Sequence, residues 1–118
     1  MNKCIIVGNL TRDTELRQAP SGVLIATNSI ATNRYFRKSD NTKGKETCFV
    51  DIVIFGNAAR IMEQYTRKGV KIVVEGRLNI STWRDKQGNQ KQKHSIVVES
   101  IELLEYIDTN GNNKKISA

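Results

Sequence analysis

Cysteine, histidine and proline are nearly missing from this sequence: 118 residues hold Cys4, Cys48, His94 and Pro20 and no others of these types. Two cysteines cannot build a disulfide scaffold, and with one histidine they give no zinc-ligand spacing. No apolar run approaches the roughly 18 residues a membrane-crossing helix needs, so neither a transmembrane role nor a membrane partner is expected. The first apolar run opens at Lys3, which leaves no room for a signal or transit peptide, and a reducing, cytoplasmic compartment is the expectation. A Gly-rich phosphate cradle is also lacking, because the glycines are scattered over turns and strand bends. Candidates for chemistry are few. His94 lies at the end of a polar hairpin without an evident partner. Cys4 sits in an apolar run and reads as a small core residue. Cys48 opens a strand with nothing to mark it as reactive, and Asp13 and Glu15 read as ordinary solvated carboxylates. The residues predict no catalysis, no cofactor and no metal.

What the chain does have is positive charge. Lysine and arginine number 19 against 12 acidic residues, a net charge of +7. That excess points to polyanions, with nucleic acid first among them. The charge is also uneven. Arg34, Arg37, Lys38, Lys43 and Lys45 surround a single acid, Asp40, and Arg84, Lys86, Lys91 and Lys93 surround Asp85. Glu99, Glu102, Glu105 and Asp108 have no base among them.

The elements follow from pattern. Residues 3–10 are β-branched and apolar, a first strand. Ala19-Pro20-Ser21-Gly22 is a turn, and Val23 to about Phe36 a long second strand. Residues 39–45 lack any apolar side chain and read as a mobile loop. Phe49–Phe55 is a third strand. Asn57 is a candidate N-cap for an amphipathic helix over 58–68, with Ala58, Ile61, Met62 and Tyr65 on its core face and Lys68-Gly69 at its end. Val70, Ile72, Val74, Gly76, Leu78 and Ile80 alternate toward the core in a fourth strand. Residues 85–93 form a hairpin tip and 95–107 a fifth strand. The tail after Asp108 is polar, with no reason to order. Five strands with one helix between the third and fourth give a mainly β domain over 1–107, an OB-fold Greek-key barrel, followed by a disordered polar tail over 108–118.

Parity along each strand then sorts the aromatics. Asp51 marks the wetter face of the third strand, since an unpaired buried carboxylate is costly, and Phe49 and Phe55 share that face. Trp83 shares parity with Asn79 and Ser81, and Phe36 with Arg34 and Lys38. Four large rings thus fall on polar faces between two basic segments. Flat rings for bases and cations for phosphates are what a single nucleic-acid strand needs, whatever its sequence. Tyr65 is assigned to the core, while Tyr106 and Tyr35, the latter opposite Phe36, stay undecided.

Six segments, in order and at matching spacing, carry a resemblance: NKCIIVGNLTRDTELR over 2–17, IATN over 30–33, VIFGNAA over 53–59, YTRKG over 65–69, VEGRL over 74–78 and WRDKQG over 83–88. Together they resemble the bacterial single-stranded DNA-binding protein family over about residues 2–107. The resemblance implies sequence-independent binding and protection of single-stranded DNA in replication, recombination and repair. It implies stacking on Phe36, Phe49, Phe55 and Trp83, and phosphate contacts from Lys3, Arg37, Lys38, Lys68 and Arg84, with Arg12, Arg17 and Arg77 as further candidates. It implies a homotetramer near the bacterial nucleoid, with a dimer as the alternative. Three departures stand out. Two positions that are often tryptophan in the family are phenylalanine here, and Asn79-Ile-Ser-Thr82 replaces a stretch that is basic in some members. The family's acidic C-terminal tip, which recruits replication and repair proteins, has no counterpart in Asn113–Ala118, so those partners are left open. A rival reading is a tail-less assembly protein of replication restart like the primosomal N protein, and a weaker one an RNA-binding barrel.

Overall fold

The computed structural model describes residues 1–116. The elements run β1 (Cys4–Leu10), β2 (Glu15–Gln18), β3 (Leu24–Arg37), β4 (Lys43–Phe55), α1 (Asn57–Tyr65), β5 (Lys71–Arg84), β6 (Gln90–Leu103), β7 (Glu105–Ile107) and β8 (Asn113–Lys115). In the main sheet the order is β1-β5-β6-β4-β3-β2, and β1 also pairs with β3. That last pairing closes β1, β3, β4, β5 and β6 into a barrel, with α1 between β4 and β5. This is the OB-fold the strand order predicts.

The barrel is filled by branched aliphatics that alternate inward: Leu10, Ile30, Ile52, Ile54, Ile72, Val74 and Ile96, capped by Ala59 and Met62 of α1. Two glycines let strands cross closely. A Cβ on Gly76 would lie 2.1 Å from the Val97 carbonyl oxygen, and one on Gly8 would lie 2.4 Å from that of Ala31. Gly76 sits at the register shift between β5 and β6, a bulge that leaves Glu99 of β6 unpaired between Val98 and Ser100.

Beyond the core, β3–β4 and β5–β6 continue as two-stranded arms, with register running out to Arg37↔Lys43 and Arg84↔Gln90. The arms raise the radius of gyration to 16.5 Å, where a compact chain of this length would have about 13–14 Å. Four hairpins share one turn. In each, the first residue's N–H donates to the carbonyl of the fifth, and the fourth residue's N–H donates back to the carbonyl of the first. The turns are Ala19–Val23, Lys38–Thr42, Asp85–Asn89 and Asp108–Asn112. The fourth residue has positive φ every time: Gly22, Asn41, Gly88 and Gly111. That is the three-residue hairpin loop with a left-handed residue.

Several expectations are corrected. The stretch 39–45 is no loose loop, since Asn41 supplies the left-handed residue and β4 already starts at Lys43. Cys48 therefore lies within β4, where it is exposed. His94, expected at the end of a polar hairpin, lies within β6 opposite Ile80. The tail is ordered as far as β8, which pairs with β7, because Asp108-Thr-Asn-Gly-Asn112 repeats the turn chemistry of Asp85-Lys-Gln-Gly-Asn89; residues 117 and 118 lie outside the described residues. Asn57 does not cap α1: Gly56 holds that position with no side-chain cap. The helix ends at Tyr65, because Thr66 turns extended and its buried hydroxyl donates to the Met62 carbonyl. The buried stripe of α1 is Ala59 and Met62, which leaves Ile61 and Tyr65 exposed. Leu78 and Ile80 keep core parity yet are exposed, since there β5 has left the barrel and has no core to face.

Candidate nucleic-acid interface

Paired residues share a face, so the registers map the outer surface of the barrel. One row reads Arg17–Ile25–Phe55 across β2, β3 and β4. The next reads Glu15–Thr27–Val53–Val97–Arg77 and reaches β5. A third reads Ser29–Asp51–Ser95–Asn79. Beyond it lie Ala31 and Phe49 on β3 and β4, and Ser81 and Lys93 on β5 and β6, followed by Trp83 and Lys91. Phe49, Phe55 and Trp83 thus stand on one outward surface, 68%, 48% and 47% exposed. Parity with Asp51 assigned Phe49 and Phe55 to the polar side and parity with Asn79 and Ser81 did so for Trp83, and all three face outward.

Phe36, 36% exposed, is placed differently. It pairs with Gly44, which puts it on the opposite face of the β3–β4 arm from Phe49. Its ring lies over Gly44, where a Cβ would come within 2.6 Å, and the Arg34 guanidinium is 5.3 Å from its centroid. The arm's ring on the Phe49 side is Tyr35, 71% exposed and opposite Lys45, with Arg37 and Lys43 next along the same face. The sequence left Tyr35 undecided; its signal was parity with Arg37 together with a partner strand rich in lysine.

The expected cations are all exposed, but they fall in separate places. Arg17 and Arg77 close two of the rows above, and Arg12 borders a cavity at the centre of the same surface. Arg37 and Lys38 lie at the end of the β3–β4 arm. Arg84 follows Trp83 on the opposite face of its arm, its guanidinium donating to the Gly88 carbonyl. Lys68 lies below the β1–β2 loop, where its backbone N–H donates to Asp13. Lys3 is already engaged by Glu75, and that hydrogen bond raises its ammonium pKa above the usual lysine value. Lys3 is therefore not brought to the rings as a free cation.

The β1–β2 loop is held by a residue the sequence reading missed. Asn28 is buried, and its amide nitrogen donates to the Arg12 carbonyl and to Thr14 Oγ1, while its oxygen accepts the Ser29 N–H. An amide at core parity between Ala26 and Ile30 was the available clue. The pocket it borders also exposes a pair on the ring-bearing face, Lys93 Nζ at 3.3 Å from Asp51 Oδ2. Among the described residues no cluster of three or more metal-ligating side chains occurs, and no helix is long and apolar enough to cross a membrane.

An OB barrel of this topology has known counterparts. The structure superposes with a TM-score of 0.78 on "Plasmodium falciparum SSB complex with ssDNA", at 27% identity and over 92% of this chain and 96% of that one. Single-stranded DNA-binding proteins of Wolinella succinogenes and Helicobacter hepaticus are 52% and 46% identical over 88% and 95% of the chain. The chain spans 64% of the first and 71% of the second. A third, from Helicobacter pylori, is 42% identical over 99% of the chain, which spans 64% of that protein. Residues 1–104 match the Single-strand binding protein family, and by that match and those identities the chain belongs to this family.

Proposed function

We propose that this chain binds single-stranded DNA without strict sequence preference and protects it during replication, recombination and repair. The observation that carries the reading is the placement of Phe49, Phe55 and Trp83 on one outward surface bordered by Arg12, Arg17, Arg77 and Lys93. Bases stack on the rings while cations displace the counterions of the phosphates. The relatives are named for the same activity, which favours this reading over a replication-restart assembly protein. The role is one of binding and not of catalysis, exercised in the cytoplasm at the nucleoid.

Self-association into a homotetramer belongs to the same proposal. Its support is β1, which pairs with β5 from Cys4 to Asn9 but with β3 only at Asn9 and Leu10, so one edge of the strand is open. Exposed Ile5 and Val7 line a groove of about 740 Å³ along that edge. An open edge with apolar side chains is a template for a second strand.

The test is titration of the protein with oligo-dT while Trp83 fluorescence is followed, with poly-U and duplex DNA as competitors. Strong quenching that poly-U and duplex reverse poorly is the expected result. Absence of quenching, or equal competition by duplex, would refute the proposal.

A further inference from the structure

Just ahead of β1, the side chain of Asn2 takes hold of β5. Its amide nitrogen donates to the Leu78 carbonyl and its oxygen accepts the Leu78 N–H, both at 2.9 Å. A carboxamide carries an acceptor and a donor side by side, as a peptide group does. The β1–β5 register runs from Asn9↔Lys71 to Cys4↔Gly76, so its continuation sets residue 2 opposite Leu78. The Asn2 side chain thus makes the exchange of two hydrogen bonds that a strand backbone makes in an antiparallel pair. Around the barrel, Leu78 pairs with Ile96, Ile96 with Ile52 and Ile52 with Asn28. Asn2 extends the hold of the β1 segment to that row.

The row is the root of the β5–β6 arm, which carries Trp83. On the β6 side the arm is paired with β4 as far as Ser95, opposite Asp51, and Ser95 pairs with Asn79. On the β5 side the backbone ladder with β1 stops at Gly76, short of that level. Without Asn2 the arm would be held further out on one side than on the other. With it, the β5 side is held at Leu78, next to Asn79. Trp83 lies five residues beyond Leu78, about 17 Å along the strand. Turning the arm at its root by about 10° would move the ring by about 3 Å, whereas a binding constellation tolerates only about 0.5 Å. Both hydrogen bonds are exposed, so water competes for them and they add little to stability. Their effect is on direction. We infer that Asn2 is a positioning residue for the single strand: its side chain fixes the root of the β5–β6 arm and so holds Trp83 in line with Phe49 and Phe55. The inference rests on the single-strand reading above and adds to it a residue that acts through Trp83 and not by contact.

The experiment is a double-mutant cycle with the full chain, read by the fluorescence anisotropy of fluorescein-labelled oligo-dT. Asn2→Ala should weaken binding about threefold or more, a part of what losing the whole Trp83 stack costs. In a W83A background the same substitution should change affinity by less than about 1.5-fold, because two changes that act through one interaction do not add. An equal loss in both backgrounds would show that Asn2 supports the barrel at large, and would overturn the inference. So would an unchanged affinity in N2A. A second measurement reads the clamp directly. The Leu78 amide should exchange with deuterium about tenfold more slowly in the wild type than in N2A, followed by NMR without DNA. A Leu78 amide that exchanges in the wild type as fast as an open strand edge would mean that the clamp does not form, and the inference would fall on the wild type alone. In each of these cases the single-strand reading survives. If the wild type leaves the labelled strand unbound, that reading falls and the role of Asn2 with it.

Discussion

At the scale of single residues, the rings are the clearest objects for measurement. Removing one stacking ring from a single-strand surface costs about 1–3 kcal/mol, so Phe49→Ala should weaken oligo-dT binding by that amount in a fluorescence titration. Phe49 is the most exposed of the three rings on the outer surface, so an unchanged affinity would remove it from the binding track. Tyr35 shares the Phe49 face, and Tyr35→Ala should cost about 1 kcal/mol by the same argument. Tyr35→Phe should keep affinity, since stacking uses the ring and not the hydroxyl. Asp40 offers a test by pH. Its carboxylate accepts the Thr42 hydroxyl at 2.6 Å and the Thr42 N–H at 3.1 Å, which lowers its pKa below the ordinary value of 3.8. A folded value below the unfolded one means that this brace is fully present above the ordinary aspartate range. It is lost as pH falls through the lower folded value. The Thr42 amide resonance should therefore titrate below pH 3.8, and a midpoint at or above that value would contradict the brace. What the sequence showed at this scale was parity. Asp51 fixed the wet side of β4 and with it Phe49 and Phe55. Parity with Arg34 and Lys38 put Phe36 on a polar face and left Tyr35 undecided, but neither strand of their arm has a core side, and only the pairing Phe36↔Gly44 shows that Phe36 faces away from Phe49.

At the scale of elements, turns and loops decide where the functional groups stand. Asn28 ties the β1–β2 loop to β3 through two donated hydrogen bonds of 2.9 Å each. Replacing it with alanine leaves the Arg12 carbonyl without this donor in a partly buried site, at about 1–3 kcal/mol of stability. Asn28→Ala should lower the midpoint of urea unfolding by that amount and also weaken DNA binding, because Arg12 loses its fixed position. If stability falls but affinity at a temperature well below unfolding does not, the loop has no part in binding. The repeated five-residue turn explains much of what the sequence reading lost. The local signal Asp-x-x-Gly-Asn is present at both 85–89 and 108–112, but only the first was read as a hairpin, and the second was taken as tail. The strand β2 was missed because four exposed residues with no apolar alternation carry no period. The five barrel strands and the helix were readable because each has a face that must be buried. The close approach of Gly76 to Val97 is a contact between distant segments that no local pattern contains.

At the scale of the whole molecule, charge and open edges set behaviour. With a net charge of +7, binding should weaken as salt rises, with log affinity falling by about 0.7 per phosphate neutralised for each unit of log salt. A flat response would assign affinity to stacking alone. The groove beside β1 carries the other prediction. Ile5 and Val7 point outward from a strand whose edge from Cys4 to Gly8 is unpaired by any strand among the described residues. A second β1 laid against that edge would satisfy the backbone groups and cover both side chains at once. In water an exposed valine of this kind adds apolar surface that association removes, whereas a lysine there resists desolvation and repels its own copy across a twofold axis. Val7→Lys should therefore reduce the solution mass measured by light scattering by at least half, while circular dichroism shows the barrel intact, because the Val7 side chain faces away from the core. Affinity for a short oligonucleotide confined to one barrel should be kept, and affinity for a long one that wraps several barrels should fall. An unchanged mass would place the association surface elsewhere on the barrel. A protein already monomeric before substitution would remove self-association from the account, and the proposed DNA surface of β3, β4, β5 and β6 would then act one barrel at a time.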